Sequence, residues 1–168
     1  MARIIALDSK PAGIACDNPK KPAVAELLAW AQKALAQGRT QIILPEIVDY
    51  EIRRKLLSLP DGAASIRRLD ELAEHKGLDA LNEPEKGLLV YAPINKEVMR
   101  RAARLWAEAR KFGRPTAAEN SIDADVILAA QALEYVGEGD QLWLATGNVK
   151  DLARYVGDRA VPWEAITP

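Results

Sequence analysis

The chain has 168 residues, of which 49% are hydrophobic, and its formal net charge is -1 with a pI of about 5.9. This length suits one globular domain with a substantial core, which we predict to span residues 1–168. The near-neutral charge argues against a strongly basic nucleic-acid-binding module, although a nuclease with an acidic site remains possible. A single cysteine and a single histidine exclude an internal disulfide and a zinc cluster of Cys and His ligands.

Apolar side chains predict strands and helices that alternate along the chain. Short apolar runs between polar residues indicate buried strands, whereas apolar residues at helical spacing indicate amphipathic helices. Gly38, Pro93 and the Pro60-Asp61-Gly62 turn separate several of these segments. In chain order, the predicted elements are strand 3–7, helix 22–37, strand 41–44, helix 45–58 with Pro45 at its first position, helix 63–76, strand 87–92, a helix capped by Asn95 that runs to about Phe112, helix 122–136, strand 141–145, helix 148–156 and a weak strand near 160–161.

This alternation favours an α/β fold, with a mostly parallel central sheet of four to five strands and helices on both faces. Ligands of such sheets bind at the carboxyl ends of the strands. Asp8 directly follows the first strand, and Thr146 directly follows the strand at 141–145. Glu51 lies one to two turns into the helix after the second strand, and Asp125 lies near the start of a helix that returns to the same edge. The four segments predict an oxygen-lined site for a hard divalent cation.

The polar segments also form a pattern that extends over nearly the whole chain. They are Leu7-Asp8-Ser9, Glu51-Ile52-Arg53, residues 125–133 beginning Asp125-Val126-Ile127, and Thr146-Gly147-Asn148-Val149-Lys150-Asp151-Leu152, with Val161-Pro162-Trp163 near the end. In order and spacing these segments resemble the four motifs of PIN-domain nucleases, particularly VapC-type toxins. Each motif is short, and the combination makes the resemblance specific.

The resemblance implies metal-dependent hydrolysis of RNA phosphodiester bonds by an endoribonuclease, with water as the nucleophile. Asp8, Glu51 and Asp125 match the acids that hold Mg²⁺ or Mn²⁺ in the family, directly or through water. The cation would activate the water and neutralise charge on the phosphoryl oxygens. Carboxylates packed together repel one another until a cation enters, so at least one should have a raised pKa in the metal-free protein.

The fourth motif departs from the simplest family pattern. Asn148 stands where many members carry an acid, and Asp151, three residues later, is the candidate for a fourth catalytic and metal-binding carboxylate. Asn148 can still offer a carbonyl oxygen or orient water, and Thr146 can offer a hydroxyl. What stays open is whether a second metal ion binds tightly.

Four further residues are candidates for supporting roles near these acids. Ser9 follows Asp8, and Asp123 can cap the helix that carries Asp125. Lys10, where the family often has a small polar residue, and Arg53 are candidates for contacting substrate phosphate. Lys10 could instead weaken metal affinity.

The acids also have ordinary structural interpretations. Asp8 can be a turn or helix-cap residue, Glu51 can pair with Lys55 at i,i+4, and Asp151 can be a solvated acid in a first helical turn. Asp49, near Glu51, is expected to face solvent.

Two other functional classes remain open. The first is a catalytically weak PIN-like module that binds RNA or protein, in which Asn148 and Lys10 have impaired metal binding. The second is a phosphoryl-transfer enzyme of the haloacid-dehalogenase type, suggested by Asp8 but disfavoured because Lys10 replaces the acid required two residues later. Metal affinity would separate a nuclease from a binding module.

The resemblance also implies partners. A VapC-type toxin is inhibited by a small antitoxin protein whose segment covers or enters the acidic site, and the family tends to form homodimers. The sequence has neither a signal-peptide apolar region nor an apolar run of the roughly 20 residues that span a bilayer. We therefore expect a cytoplasmic protein without a membrane partner.

Overall fold

The computed structural model describes residues 1–74, 88–113 and 123–168. Strands and helices alternate in the order expected for a parallel α/β sheet. The elements are β1 (Arg3–Leu7), α1 (Ser9–Ala15), α2 (Pro22–Ala36), β2 (Thr40–Pro45), α3 (Glu46–Leu57), α4 (Ala63–Ala73), β3 (Leu88–Ala92), α5 (Lys96–Lys111), α6 (Ala124–Glu134), β4 (Gln141–Ala145), α7 (Val149–Val156) and β5 (Ala160–Val161), with 3-10 turns at Gly157–Arg159 and Trp163–Ala165.

The described strands form a five-stranded sheet in the order β3-β2-β1-β4-β5, and each neighbouring pair is parallel. From β1 the chain first adds strands on one side and later crosses to add β4 and β5 on the other. Because parallel crossovers are right-handed, this reversal places helices on opposite faces. The helix contacts form two groups, α1 with α2 and α3 and α3 with α4, and α6 with α5 and α7, which meet where α3 contacts α6. The predicted fold class is confirmed.

The core lies around the central strands and helix α6. Ile5 on β1, Ile43 on β2 and Leu144 on β4 are fully buried. Helix α6 is buried along residues 126–132, where alanines let it pack closely between its neighbours. This burial fixes the position of the helix start, which carries a candidate acid. No helix among the described residues is long and apolar enough to cross a membrane.

Helix α1 was not predicted from the sequence. It is only seven residues long and contains Pro11 and Gly13, two residues that weaken a helical pattern. The helix forms because Asp8 caps it, accepting a hydrogen bond from the Ser9 backbone N–H at 2.6 Å, and because Pro11 and Ala12 are buried against the core. A cap and tertiary packing therefore stabilise a segment whose own propensity is poor.

Other element boundaries differ from the predictions by a few residues. Pro45 is not the first residue of a helix: it is the last residue of β2, and its extended backbone makes it the N-cap of α3. Helix α4 ends at Ala73, and the predicted continuation over 75–76 lies outside the described residues, as do residue 87 and the start of the predicted helix at 122. The predicted cap at Asn95 is confirmed, since its side chain accepts hydrogen bonds from the backbone of Glu97 and Val98.

A buried glutamine joins α6 to the carboxyl edge of the sheet. The side-chain amide of Gln131 donates to the Ala92 carbonyl at 2.6 Å and accepts a hydrogen bond from the Ile47 backbone N–H at 3.2 Å. Gln131 is fully buried, so these two hydrogen bonds are shielded from water. One side chain thus connects the end of β3, the start of α3 and helix α6.

We predict that Gln131→Leu lowers the free energy of unfolding by about 2 kcal/mol, because it removes two buried hydrogen bonds to the backbone. Urea denaturation followed by circular dichroism measures the change. Gln32→Leu, at an exposed position of helix α2, is the matched control and should change stability by less than about 0.5 kcal/mol. Equal effects of the two substitutions would contradict the role assigned to Gln131.

Candidate functional site

The candidate residues meet at the carboxyl edge of β1 and β4, where the sheet order changes direction. Leu7 and Ala145 end these paired strands, and the Asp8 backbone N–H donates to the Ala145 carbonyl at 2.9 Å. Asp8 and Thr146 therefore emerge side by side. This is the position at which parallel α/β sheets bind their ligands.

Asp8 is buried and has a hydrogen-bond donor at each carboxylate oxygen. Oδ2 accepts from the Thr146 hydroxyl at 2.5 Å, and Oδ1 accepts from the Ser9 backbone N–H at 2.6 Å. The helix-cap interpretation of Asp8 is therefore correct, and it is compatible with a role in chemistry. The cap uses one oxygen, and the start of a helix is a favourable place for negative charge.

Thr146 and Asn148 connect Asp8 to the acid on helix α6. The Thr146 Oγ accepts a hydrogen bond from the Asn148 backbone N–H at 2.7 Å while it donates its proton to Asp8. The Asn148 side-chain Nδ2 donates to Oδ2 of Asp125 at 3.3 Å. The turn between β4 and α7 therefore holds two carboxylates in place through two neutral side chains.

Ser9 makes the corresponding link to helix α3. Its hydroxyl donates to Oε2 of Glu51 at 2.6 Å, while its backbone N–H donates to Oδ1 of Asp8, the N-cap of α1. The ion-pair partner of Glu51 is Arg54, whose Nη2 lies 3.9 Å from Oε1, rather than the Lys55 that i,i+4 spacing suggested. Glu51 is thus joined to the same network as Asp8, and all four predicted segments share one chain of hydrogen bonds.

The charges of this site act most strongly on Asp125. Burial, the larger cause, and the negative charges of Asp8, Asp123, Glu51 and Asp151 together raise the pKa of its carboxyl from 3.8 to about 6. The prediction that one acid of the group has a raised pKa is confirmed. Because the folded-state pKa is the higher one, this carboxyl weakens the folded state as pH rises between about 4 and 6.

Asp151 and Asp123 lie close enough to influence Asp125, yet each also has a structural contact. Asp151 pairs with Arg154 on helix α7, with Oδ1 and Nη2 2.9 Å apart. Asp123 is buried, and its Oδ1 accepts a hydrogen bond from the Val126 backbone N–H, which confirms the predicted cap of α6. The structural interpretation therefore accounts for Asp123 and gives Asp151 a partner on its own helix.

The donor chemistry of the site suits a hard cation, but its side chains are not arranged as a closed cage. Its ligand candidates are carboxylate, hydroxyl and amide oxygens, which Mg²⁺ and Mn²⁺ prefer. Among the described residues, however, no group of three or more Asp, Glu, His or Cys side chains is placed to hold a metal ion. The hydrogen bonds to Asp8 and Glu51 explain this, because they direct those carboxylates toward Thr146 and Ser9. A cation would bind through side-chain rotation or bridging water.

Arg53 does not point into the acid network. Its guanidinium holds Asp49 with two hydrogen bonds, of 2.7 and 3.1 Å, and Asp70 with a third of 2.8 Å. These carboxylates raise the pKa of Arg53. The expectation that Asp49 faces solvent is wrong, since it is buried against Arg53. This cluster ties α3 to α4, which gives Arg53 a structural role.

A groove beside the acids was not anticipated from the sequence. It has a volume of about 890 Å³ and runs along helices α1 and α3. Ser9, Lys10 and Glu51 are among its lining residues, together with the apolar side chains of Leu56 and Leu59. Helix α1 forms one side of the groove. Because α1 was not predicted from the sequence, the groove was not predicted either.

No protein-family model and no curated protein sequence matches the chain. Solved structures do match it. VapBC2 from Rickettsia felis, bound to a DNA fragment from its promoter, gives a TM-score of 0.59 at 16% identity, covering 95% of this chain and 96% of the other. VapBC-1 from nontypeable Haemophilus influenzae gives 0.56 at 18% identity, covering 96% and 98%.

FitAcB from Neisseria gonorrhoeae is also similar, with a TM-score of 0.55 at 21% identity over 90% of this chain and 93% of the other. Each match covers almost the whole length of both chains, so the likeness concerns the complete arrangement of strands and helices. The chain therefore has the PIN-like fold of the VapC-type structures that its four motifs resemble.

Proposed function

We propose that this chain is a ribonuclease that hydrolyses RNA phosphodiester bonds with the help of Mg²⁺ or Mn²⁺, and that it is the toxin of a VapBC-type toxin–antitoxin pair. One observation carries the proposal: a single hydrogen-bonded network joins Asp8, Glu51 and Asp125, and burial together with the acidic neighbours raises the pKa of the Asp125 carboxyl. A protein gains nothing from buried like charges unless a cation or a proton joins them.

In this mechanism, Asp8, Glu51 and Asp125 would hold the cation, and Asp151 or Asn148 would complete the site. When bound, the cation lowers the pKa of a water molecule and neutralises charge on the phosphoryl oxygens. The neutral side chains orient the acids: Thr146 holds Oδ2 of Asp8, and Asn148 holds Oδ2 of Asp125. One oxygen of Asp151, Oδ1, is paired with Arg154, so Oδ2 is its candidate ligand atom.

The proposed partners follow from the similarity to the solved structures. The solved structures with this fold are VapBC and FitAcB complexes, which supports a small antitoxin as a partner of this chain. We propose that the antitoxin covers the acidic edge of the sheet, that the chain forms a homodimer, and that it acts on RNA in the cytoplasm.

A second candidate function is a PIN-like module that binds RNA or protein and cuts nothing. The observation in its favour is that Asp8 and Glu51 already have hydrogen-bond donors, while Asn148 occupies a position suited to an acid. Metal binding separates the two functions. A nuclease must bind the cation well enough to pull these carboxylates together, and a binding module need not.

We predict that the purified chain cuts single-stranded or structured RNA in the presence of Mg²⁺ or Mn²⁺ and that EDTA stops the reaction. Asp8→Asn and Asp125→Asn should each slow cleavage by about 100-fold or more, because each removes a charge from the cation site. Gel analysis of end-labelled RNA measures the rate. Asp158→Asn, on an exposed turn, is the matched control and should cut at the parent rate. Cleavage that is equal in all variants would identify a contaminating nuclease and leave the proposal without support.

We also predict that Mn²⁺ binds more tightly as pH rises. At pH 5 the Asp125 carboxyl, with its pKa of about 6, is mostly protonated and the cation must displace that proton. Raising the pH to about 7 removes the competition and should increase affinity about tenfold. Calorimetric titration in two buffers of different ionisation heat measures the affinity and counts the released proton.

Asp125→Asn is the control for this titration, since an amide has no proton to lose. It should bind Mn²⁺ weakly and with little change over the same pH range. A parent protein whose Mn²⁺ affinity is flat from about pH 5 to pH 7 would show that Asp125 is not a ligand. No detectable binding at either pH would favour the binding module.

A further inference from the structure

Lys10 and Gly147 touch across the mouth of the site. Lys10 is the second residue of helix α1, and Gly147 lies in the turn between β4 and α7. A Cβ atom built on Gly147 would lie 2.5 Å from Cδ of Lys10 and 3.5 Å from its Cε and Nζ. The first distance is shorter than non-bonded carbons allow. The aliphatic stem of Lys10 therefore crosses Gly147 in the space that any other side chain would fill.

The backbone conformation does not explain why Gly147 is a glycine. The described glycines with φ in the left-handed region are Gly38, Gly113, Gly139 and Gly157. Gly147 is not in that group, so its backbone is open to residues with a side chain. A side chain is excluded at this position because Lys10 occupies the space that its Cβ would need. The two residues thus form a structural pair.

The pair places one ammonium between the acid network and the groove. Gly147 lies between Thr146 and Asn148, which hold the two acids at the end of the sheet. Lys10 also follows Ser9 and lines the groove along α1 and α3. A phosphodiester chain lying in the groove and entering the site passes this point. The ammonium is therefore placed to meet a phosphate next to the bond that is cut.

The charge of Lys10 is available to an external anion. Arg53 is held by Asp49 and Asp70, Arg54 lies near Glu51, and Arg154 is paired with Asp151. Lys10 is exposed, and within the described residues no carboxylate lies within ion-pairing distance of it. Arg53 and Arg154 are held closely by protein carboxylates and Arg54 lies 3.9 Å from Glu51, whereas Lys10 has no carboxylate partner within the described residues.

We propose that Lys10 binds a backbone phosphate of the RNA strand and that Gly147 is the positioning residue that lets the lysine lie across the β4–α7 turn to reach it. The proposal rests on the proposed function, because it names how the same site holds its substrate. In this proposal, the role of Gly147 depends on Lys10, because the glycine leaves room for the lysine side chain.

The test measures binding without cleavage. A fluorescent single-stranded RNA is titrated with protein in EDTA, and the affinity is followed by anisotropy from about 50 to 300 mM KCl. Each phosphate contact to a single strand contributes about 0.7 to the slope of log affinity against log salt. Lys10→Met should reduce the slope by about that amount and weaken binding for all RNA sequences alike.

Gly147→Ala is the decisive variant because it keeps the lysine and only moves it. The clashing atom belongs to a flexible side chain, so the fold should tolerate the methyl group, which thermal melting checks. We expect the same reduced slope as in Lys10→Met, and the double variant should show no further loss. Gly13→Ala is the matched control, since Gly13 lines the same groove with nothing within 4 Å of a built Cβ.

Lys33→Met on helix α2 controls for the loss of one positive charge. Slopes that are unchanged in Lys10→Met, or reduced equally in Lys33→Met, would overturn the proposal, as would additive effects of Lys10→Met and Gly147→Ala. Absence of RNA binding by the parent protein would also overturn it. Because no divalent cation is present, the result is independent of whether the chain cuts RNA, which the cleavage assay decides separately.

Discussion

The repulsion among carboxylates at one edge of the sheet is the constraint on which the arrangement of this molecule depends. Asp8 is buried and Asp125 is half-buried, and burial together with the charges of the group raises the pKa of the Asp125 carboxyl to about 6. Such a cluster is stable only because neutral donors hold it. Ser9, Thr146 and Asn148 each supply a hydrogen bond to a carboxylate. These hydrogen bonds offset part of the repulsion among the carboxylates.

The positions of Asp8, Thr146 and Asp125 could be predicted because strand ends and helix starts are readable in the apolar pattern. Parallel strands bring their carboxyl ends to one edge whatever the details of packing. The partners of these residues could not be predicted in the same way. Glu51 joins Ser9, 42 positions earlier, instead of Lys55, and Asp49 is buried because Arg53 on its own helix also reaches Asp70. Tertiary packing determines these side-chain contacts.

Helix α1 shows why several features of the site could not be predicted from the sequence. Pro11 and Gly13 hide a helix that exists because an acid caps it and the core covers it. Once α1 is in place, three further features follow from it: the Ser9 link to Glu51, the crossing of Lys10 over Gly147 and the groove along α3. The weakest helical signal in the sequence therefore determines much of the surface that a substrate would meet. Local propensity is a poor guide where a short segment is fixed at both ends.

The strand order has a consequence for how the site comes into being during synthesis. Asp8 leaves the ribosome early, but its hydroxyl partner Thr146 follows 138 residues later, and β4 must insert beside β1 before the two can meet. Pairings between such distant segments form late in folding, because the intervening loop has to be closed first. Asp8 and Thr146 therefore come together only once β4 has been made and has paired with β1.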